Sequence, residues 1–269
     1  MIGLILGDTK LGNLIIKKLD ILKKKYIIID ISKKQLFKNK INSYNLSIGQ
    51  LGKAISLLKK NNCKKIIFAG RVSRPNFSKM KLDFKALYYL PKIIKTSKIN
   101  DSAIINVIID IFKKEGFKII KQTSFNHELL LKGLCTKTTP NLINKKDILK
   151  AKKTILNLNN DNVGQGIVIR RGHIIAIESI DGTDAMLNRS YALIKKFYNK
   201  NIKEGVLLKF PKRNQDLRVD LPAIGFKTVK KCIKIGLKGI VVKSSQNIFL
   251  DREKCIKEAN KNKFFILGI

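Results

Sequence analysis

The sequence has no tryptophan, two histidines and three methionines, and only 19 of its 269 residues are acidic. The two histidines, His127 and His173, stand far apart, and no serine or cysteine pairs with either in a nucleophile motif. That disfavours a hydrolase built on a Ser-His or Cys-His pair. The four cysteines (Cys63, Cys135, Cys232 and Cys255) are scattered without a CxxC pair. This spacing excludes the usual zinc sites and argues against a disulfide frame in a chain of this length. No apolar run reaches the length of about 18 residues that a membrane-spanning helix needs. The opening Met1-Ile2-Gly3-Leu4-Ile5-Leu6-Gly7 is too short and lacks the basic flank of a secretory signal, so a reduced, cytoplasmic protein is expected.

What the sequence has in excess is lysine. Against the 19 acids stand 56 basic residues, a formal charge of +37. That balance admits nucleic acid, anionic membrane surfaces or phosphorylated substrates as partners and disfavours a cationic one. The lysines recur in almost every segment, as in Lys23-Lys24-Lys25, Lys64-Lys65 and Lys230-Lys231, and form no single stripe. Nor do the few tyrosines interleave with them as bases would require. The charge therefore reads as a compositional background with a mild preference for phosphates or membranes. Aromatic residues make up 7% of the chain and hydrophobic residues 44%, so Ile, Leu and Val must fill most of the interior. The length suits two domains.

The first half alternates strands and helices. Ile2–Leu6 is a continuous apolar run suited to a buried parallel strand, Leu11–Leu22 has helical spacing, and Tyr26–Asp30 and Ile66–Ala69 read as further strands. Helices are expected at 50–60, 82–97 and 102–114. This pattern predicts a Rossmann-like parallel-sheet domain over residues 1–132, whose ligands would sit beyond the strand ends near Gly7-Asp8-Thr9 and Gly70-Arg71. A linker is expected at 133–146, rich in Gly, Thr, Pro and Asn. A second α/β domain follows over 147–269, starting with a helix from Asp147 and a hairpin turning at Arg170-Arg171-Gly172. Gly7-Asp8-Thr9-Lys10-Leu11-Gly12 is neither a GxGxxG fingerprint nor a complete P-loop, which sets aside a dehydrogenase and a P-loop kinase.

Because acids are scarce, two acidic clusters stand out. Glu178-Ser179-Ile180-Asp181-Gly182-Thr183-Asp184 joins a strand to a helix N-terminus, where oxygen ligands could hold a divalent cation and free N–H groups a phosphate. Capping by Asp181 or Asp184 with a turn at Gly182 would explain the same residues. The second cluster, from Lys209 through Lys212 and Arg213 to Asp216, Arg218 and Asp220, mixes cations with carboxylates on a loop. Such a mixture suits phosphoryl chemistry, and a solvated loop is the alternative. Arg71 and Arg74, in Gly70-Arg71-Val72-Ser73-Arg74-Pro75, could grip a diphosphate or simply flank a turn.

Taken together, these segments resemble the LpxI-type UDP-2,3-diacylglucosamine pyrophosphatases. The resemblance runs through Val163-Gly164-Gln165, through Ile177 to Leu187, and through Gly205-Val206-Leu207-Leu208-Lys209 to Gln215-Asp216-Leu217-Arg218-Val219-Asp220-Leu221-Pro222. Gly70–Pro75, Gly236-Leu237-Lys238-Gly239-Ile240 and Leu250-Asp251-Arg252-Glu253 extend it. It implies a cytoplasmic hydrolase of lipid A biosynthesis that splits UDP-2,3-diacylglucosamine into UMP and 2,3-diacylglucosamine 1-phosphate (lipid X) with Mg²⁺ or another divalent cation, the ligand lying in a cleft between the two domains. Asp216 and Asp220 are the expected catalytic carboxylates, and with Glu178 and Asp181 the expected metal ligands. Arg71, Arg74, Gln165, Gly182, Thr183, Asp184, Lys209, Lys212 and Arg218 are expected to bind substrate. The partner would be the lipid-linked UDP-sugar, at the cytoplasmic face of an anionic inner membrane and without nucleic acid; a homodimer is compatible. The rival readings are a metal-dependent nuclease and a noncatalytic nucleic-acid-binding protein.

Overall fold

The computed structural model describes residues 1–72, 80–97, 101–158, 163–199, 202–213 and 215–269. They form two compact units. The first holds Met1–His127 and Asp216–Asp220, and the second holds Glu128–Gln215 and Leu221–Ile269. The chain thus leaves the first unit once and returns to it for five residues. Among the described residues, no helix is long and apolar enough to cross a membrane.

The first unit is built on a parallel sheet of β1 (Ile2–Leu6), β2 (Tyr26–Asp30), β3 (Ser43–Asn45), β4 (Lys65–Ala69) and β5 (Lys118–Ile119). The strand order is β3-β2-β1-β4-β5, every pair parallel, as strand–helix alternation dictates. β1 is buried along its whole length, the mark of a strand covered on both faces. The helices are α1 (Lys10–Ile21), α2 (Leu51–Lys60), α3 (Phe84–Ser97) and α4 (Asp101–Lys114). Thr9 caps α1, its hydroxyl accepting from the Leu11 amide at 3.3 Å. α2 buries Leu51, Ala54, Ile55 and Leu58, one face of a 3.6-residue repeat. These side chains join Ile5, Ile29, Ile66 and Phe112 in the core, where Phe112 meets Phe68 edge to face at 5.3 Å.

The strand order reverses between β1 and β4, and there the two following loops touch. Gly7 donates to the Ala69 carbonyl at 2.9 Å and Asp8 to the Arg71 carbonyl at 2.8 Å. Gly70 has a φ of +98°, and a Cβ on it would come within 2.8 Å of the Gly7 backbone, so only glycine fits. Asp30 closes β2, where dinucleotide-binding folds keep an acid for ribose. Here its carboxylate is consumed internally, accepting from the Ser32 amide (2.9 Å), the Ser32 hydroxyl (2.6 Å) and the Phe37 amide (2.9 Å).

The second unit carries α5 (Leu142–Leu158), β6 (Gly166–Arg170), β7 (His173–Ile177), α6 (Gly182–Phe197), β8 (Val206–Lys209), β9 (Ala223–Ile224), α7 (Phe226–Ile235), β10 (Gly239–Val242), β11 (Ile248–Phe249), α8 (Arg252–Lys261) and β12 (Phe265–Gly268). Its main sheet has the order β12-β10-β8-β6-β7. β12, β10 and β8 run parallel, whereas β6 and β7 form an antiparallel hairpin on one edge. β9 and β11 pair as a small separate ladder.

α5 starts at Leu142, five residues before the Asp147 start expected from periodicity. A reciprocal cap explains the difference. The Asn141 side chain accepts from the Asn144 amide at 2.9 Å, and the Asn144 side chain accepts from the Asn141 amide at 3.3 Å. This is a capping box with Asn standing where Glu or Gln is usual. Ile148, Ala151 and Ile155 then pack on Ile167, Ile169, Val206 and Leu208 of the sheet.

Candidate active site

In the second unit, register brings three short segments to one end of the sheet. Gly166 stands opposite Lys209, and Ile167 opposite Ile177. Gln165, Glu178 and Lys209 therefore flank the same edge, and α6 begins beside them at Gly182. The Lys209 ammonium donates to the Thr183 hydroxyl at 2.5 Å, and that hydroxyl donates to Glu178 Oε2 at 3.0 Å. Lys209 and Glu178 lie 3.8 Å apart, with side chains only 10% and 11% exposed. A charge pair this buried persists only where hydrogen bonds satisfy its polar atoms, and Thr183 supplies one to each partner.

The backbone is shaped around Glu178. The amide of Gly164 donates to the Glu178 carbonyl and the amide of Glu178 to the Gly166 carbonyl, both at 2.8 Å. A Cβ at Gly166 would lie 2.7 Å from the Glu178 carboxylate, and one at Gly164 would fall on its carbonyl. Next to this cluster the Gln165 side chain donates to Gln215 Oε1 at 3.0 Å, and the Lys212 amide donates to the same oxygen at 2.9 Å. The Gln215 amide nitrogen is buried and has no hydrogen-bond partner among the described residues. Gln215 was not among the expected site residues, although it opens the Gln215–Pro222 stretch that carries the family resemblance.

Asp181 and Asp184 turn elsewhere. Asp181 precedes α6 but makes no capping hydrogen bond. It accepts from the Ser179 hydroxyl at 2.7 Å and pairs with Arg189, and these contacts hold its carboxyl below the usual range. Asp184 accepts from Lys231 at 2.7 Å and Lys227 at 3.0 Å, one turn apart on α7, and Lys231 leads in lowering its pKa.

Asp216 and Asp220 lie in the first unit, in the five-residue return. The amides of Val219 and Asp220 donate to the Asp216 carbonyl at 3.1 and 2.9 Å, closing one helical turn. Arg218 clamps Asp216 in a fork, Nε to Oδ1 at 2.9 Å and Nη2 to Oδ2 at 2.5 Å. The guanidinium holds the Asp216 carboxyl below its usual range. Gln122 fastens the turn, its amide donating to the Arg218 carbonyl at 2.9 Å and its side chain to the Val219 carbonyl. Val219 is buried in the first unit's core. Arg71 is exposed after β4, and Arg74 lies outside the described residues.

Among the described residues, no three His, Cys, Asp or Glu side chains converge where they could hold a metal ion. Each unit has instead a tethered carboxylate beside a cation: Glu178 with Lys209, and Asp216 with Arg218. Two α/β units, each bearing such a pair, define a two-domain α/β protein.

The LpxI N-terminal domain model matches residues 1–129 and the LpxI C-terminal domain model matches residues 131–267. The chain belongs to the LpxI family. It is also 36% identical, over 227 residues, to the UDP-2,3-diacylglucosamine pyrophosphatase LpxI of Caulobacter vibrioides, covering 84% of this chain and 81% of that one.

Proposed function

We propose that this protein hydrolyses the diphosphate of UDP-2,3-diacylglucosamine, releasing UMP and 2,3-diacylglucosamine 1-phosphate with the help of a divalent cation. One observation carries the reading: both LpxI domains are present, and a relative 36% identical over most of the chain is named for this substrate. The buried Lys209–Thr183–Glu178 cluster supports it, because a phosphate linkage needs fixed cations and donors whose orientation is set before the reaction.

In the reaction, water bonds to one phosphorus and the bridging P–O bond breaks, leaving two phosphate monoesters. Lys209 is suited to neutralise a phosphate oxygen while Thr183 and Glu178 hold its ammonium in place. Gln215, with a donor unspent, suits a phosphate or sugar oxygen. The Lys212 amide is already engaged with Gln215, and Arg218 would steady Asp216 for its role.

Magnesium is commonly held by one or two carboxylates together with the substrate's own phosphates, so it needs no larger cluster. Asp216 and Asp220, on one helical turn, are the residues that would hold it. A bound cation would neutralise phosphate charge and lower the pKa of an attacking water.

The test is UMP release from UDP-2,3-diacylglucosamine with Mg²⁺ and with EDTA, for the wild type and for Asp216→Asn and Asp220→Asn checked by circular dichroism. Release that EDTA abolishes, and that falls at least about 100-fold in each variant, is the expected result. EDTA-insensitive release would remove the cation from the proposal. Cleavage of DNA or RNA in place of the UDP-sugar would favour a nuclease.

A further inference from the structure

The fifteen residues from Leu142 to Leu156 place three leucines seven apart, at Leu142, Leu149 and Leu156, on the outside of α5. A helix turns only about 20° short of two full turns in seven residues, so the three form a nearly straight ridge of about 21 Å. They are 76%, 67% and 50% exposed. On the same helical projection Lys146 and Lys153 border the ridge on one side, and Lys145 and Lys152 on the other; all four are exposed. The helix has one acid, Asp147, and it lies on the opposite, buried face, where its carboxylate accepts from the Arg171 and Gly172 amides at 3.1 and 2.6 Å. The core-facing side of α5 is complete without the ridge, since Ile148, Ala151 and Ile155 fill it.

An apolar ridge between two rows of ammonium groups, with no exposed acid, calls for a surface that is apolar inside and anionic outside. A second copy of the same face would set lysine rows against lysine rows, and a nucleic acid would leave the leucines unused. We infer that α5 is an interfacial helix that docks on an anionic lipid bilayer, its leucines entering the headgroup–acyl boundary and its lysines reaching the lipid phosphates. This deepens the lipid-substrate reading above and takes from it only the reason for meeting a membrane; the face itself is read from α5.

The test uses the full chain, wild type and Leu142→Gln/Leu149→Gln/Leu156→Gln, with sedimented vesicles of phosphatidylcholine alone or with about one third phosphatidylglycerol. Glutamine is a good helix former and the three sites are exposed, so circular dichroism should be unchanged. The expected result is binding of the wild type to the anionic vesicles only, weakened roughly 30-fold in the triple variant. Equal binding by the variant, or equal binding of the wild type to neutral vesicles, would overturn the inference. So would a wild-type dimer in solution that the triple variant abolishes. UMP release from a short-chain, water-soluble substrate without vesicles is measured in parallel and should be the same in both proteins. Failure of that release in the wild type would count against the proposed function, while the vesicle result would still decide the role of α5.

Discussion

The side-chain amide of Gln122 donates to the carbonyl of Val219, 97 residues further along the chain. This bond, with the Gln122 amide to the Arg218 carbonyl at 2.9 Å, fastens a loop from the second half into the first unit. Val219 is only 8% exposed there, among the first unit's core residues. Val219→Ala should therefore destabilise the first unit by about 2 kcal/mol through lost burial and a residual cavity. Chemical denaturation of the variant, followed by amide exchange in β1 and β4, measures this. An effect confined to second-unit amides would contradict the placement of the loop.

The Glu178–Lys209 pair predicts a non-additive mutant cycle. Removing one buried partner leaves the other charge uncompensated, at a cost of about 3 kcal/mol. Lys209→Met alone should lower stability by roughly that much, and Glu178→Gln/Lys209→Met together by less than the sum of the single changes. Urea midpoints of the four proteins decide it, and strict additivity would mean the pair does not act as a unit.

Acid should weaken both units. Asp216 is held low by Arg218, Asp184 by Lys231, and Glu115 first by Lys59 and then by Lys85. A carboxyl whose folded pKa lies below its unfolded value stabilises the fold fully above the unfolded value, about 4, and loses that contribution as pH falls through the folded value. The thermal midpoint should thus change little from pH 7 to 5 and drop from pH 4 to 2. Replacing Arg218 with Met should remove part of that drop.

Thiol reactivity should single out one cysteine. Cys63, Cys232 and Cys255 are buried and Cys135 is partly exposed. Burial pushes the Cys255 thiol up to about 12 and raises that of Cys232 as well, so neither forms thiolate near neutral pH. Cys135 is also raised by burial, with Arg252 opposing. A disulfide exchange reagent at pH 8 should modify about one thiol slowly in the native protein and all of them in guanidinium. Rapid reaction of several native thiols would refute it.

The parallel core strands were legible because their apolar runs are continuous: Ile2–Leu6 and Tyr26–Asp30 are observed as expected. β3, β9 and β11 were not, since strands of two or three residues leave no periodicity to detect. The start of α5 was hidden because Pro140-Asn141 reads as loop, and the cap works through an Asn at the third helical position, where the usual pattern has Glu or Gln. At the site, Glu178, Thr183 and Lys209 were each singled out, but as a metal ligand and substrate contacts. Their mutual hydrogen bonds depend on the register of three strands, which no local motif encodes. The same holds for Asp216–Asp220: Val219, apolar between two charged neighbours, was the one sign that this stretch faces a core.

That return has a consequence for anyone dividing the gene. A fragment ending near residue 130 would lack the valine plug and the Gln122 anchor points of its own interior, and the complementary fragment would carry them as an orphaned tab. Neither piece is a natural cloning boundary, and splicing 216–220 onto the shorter one is the way to make it whole.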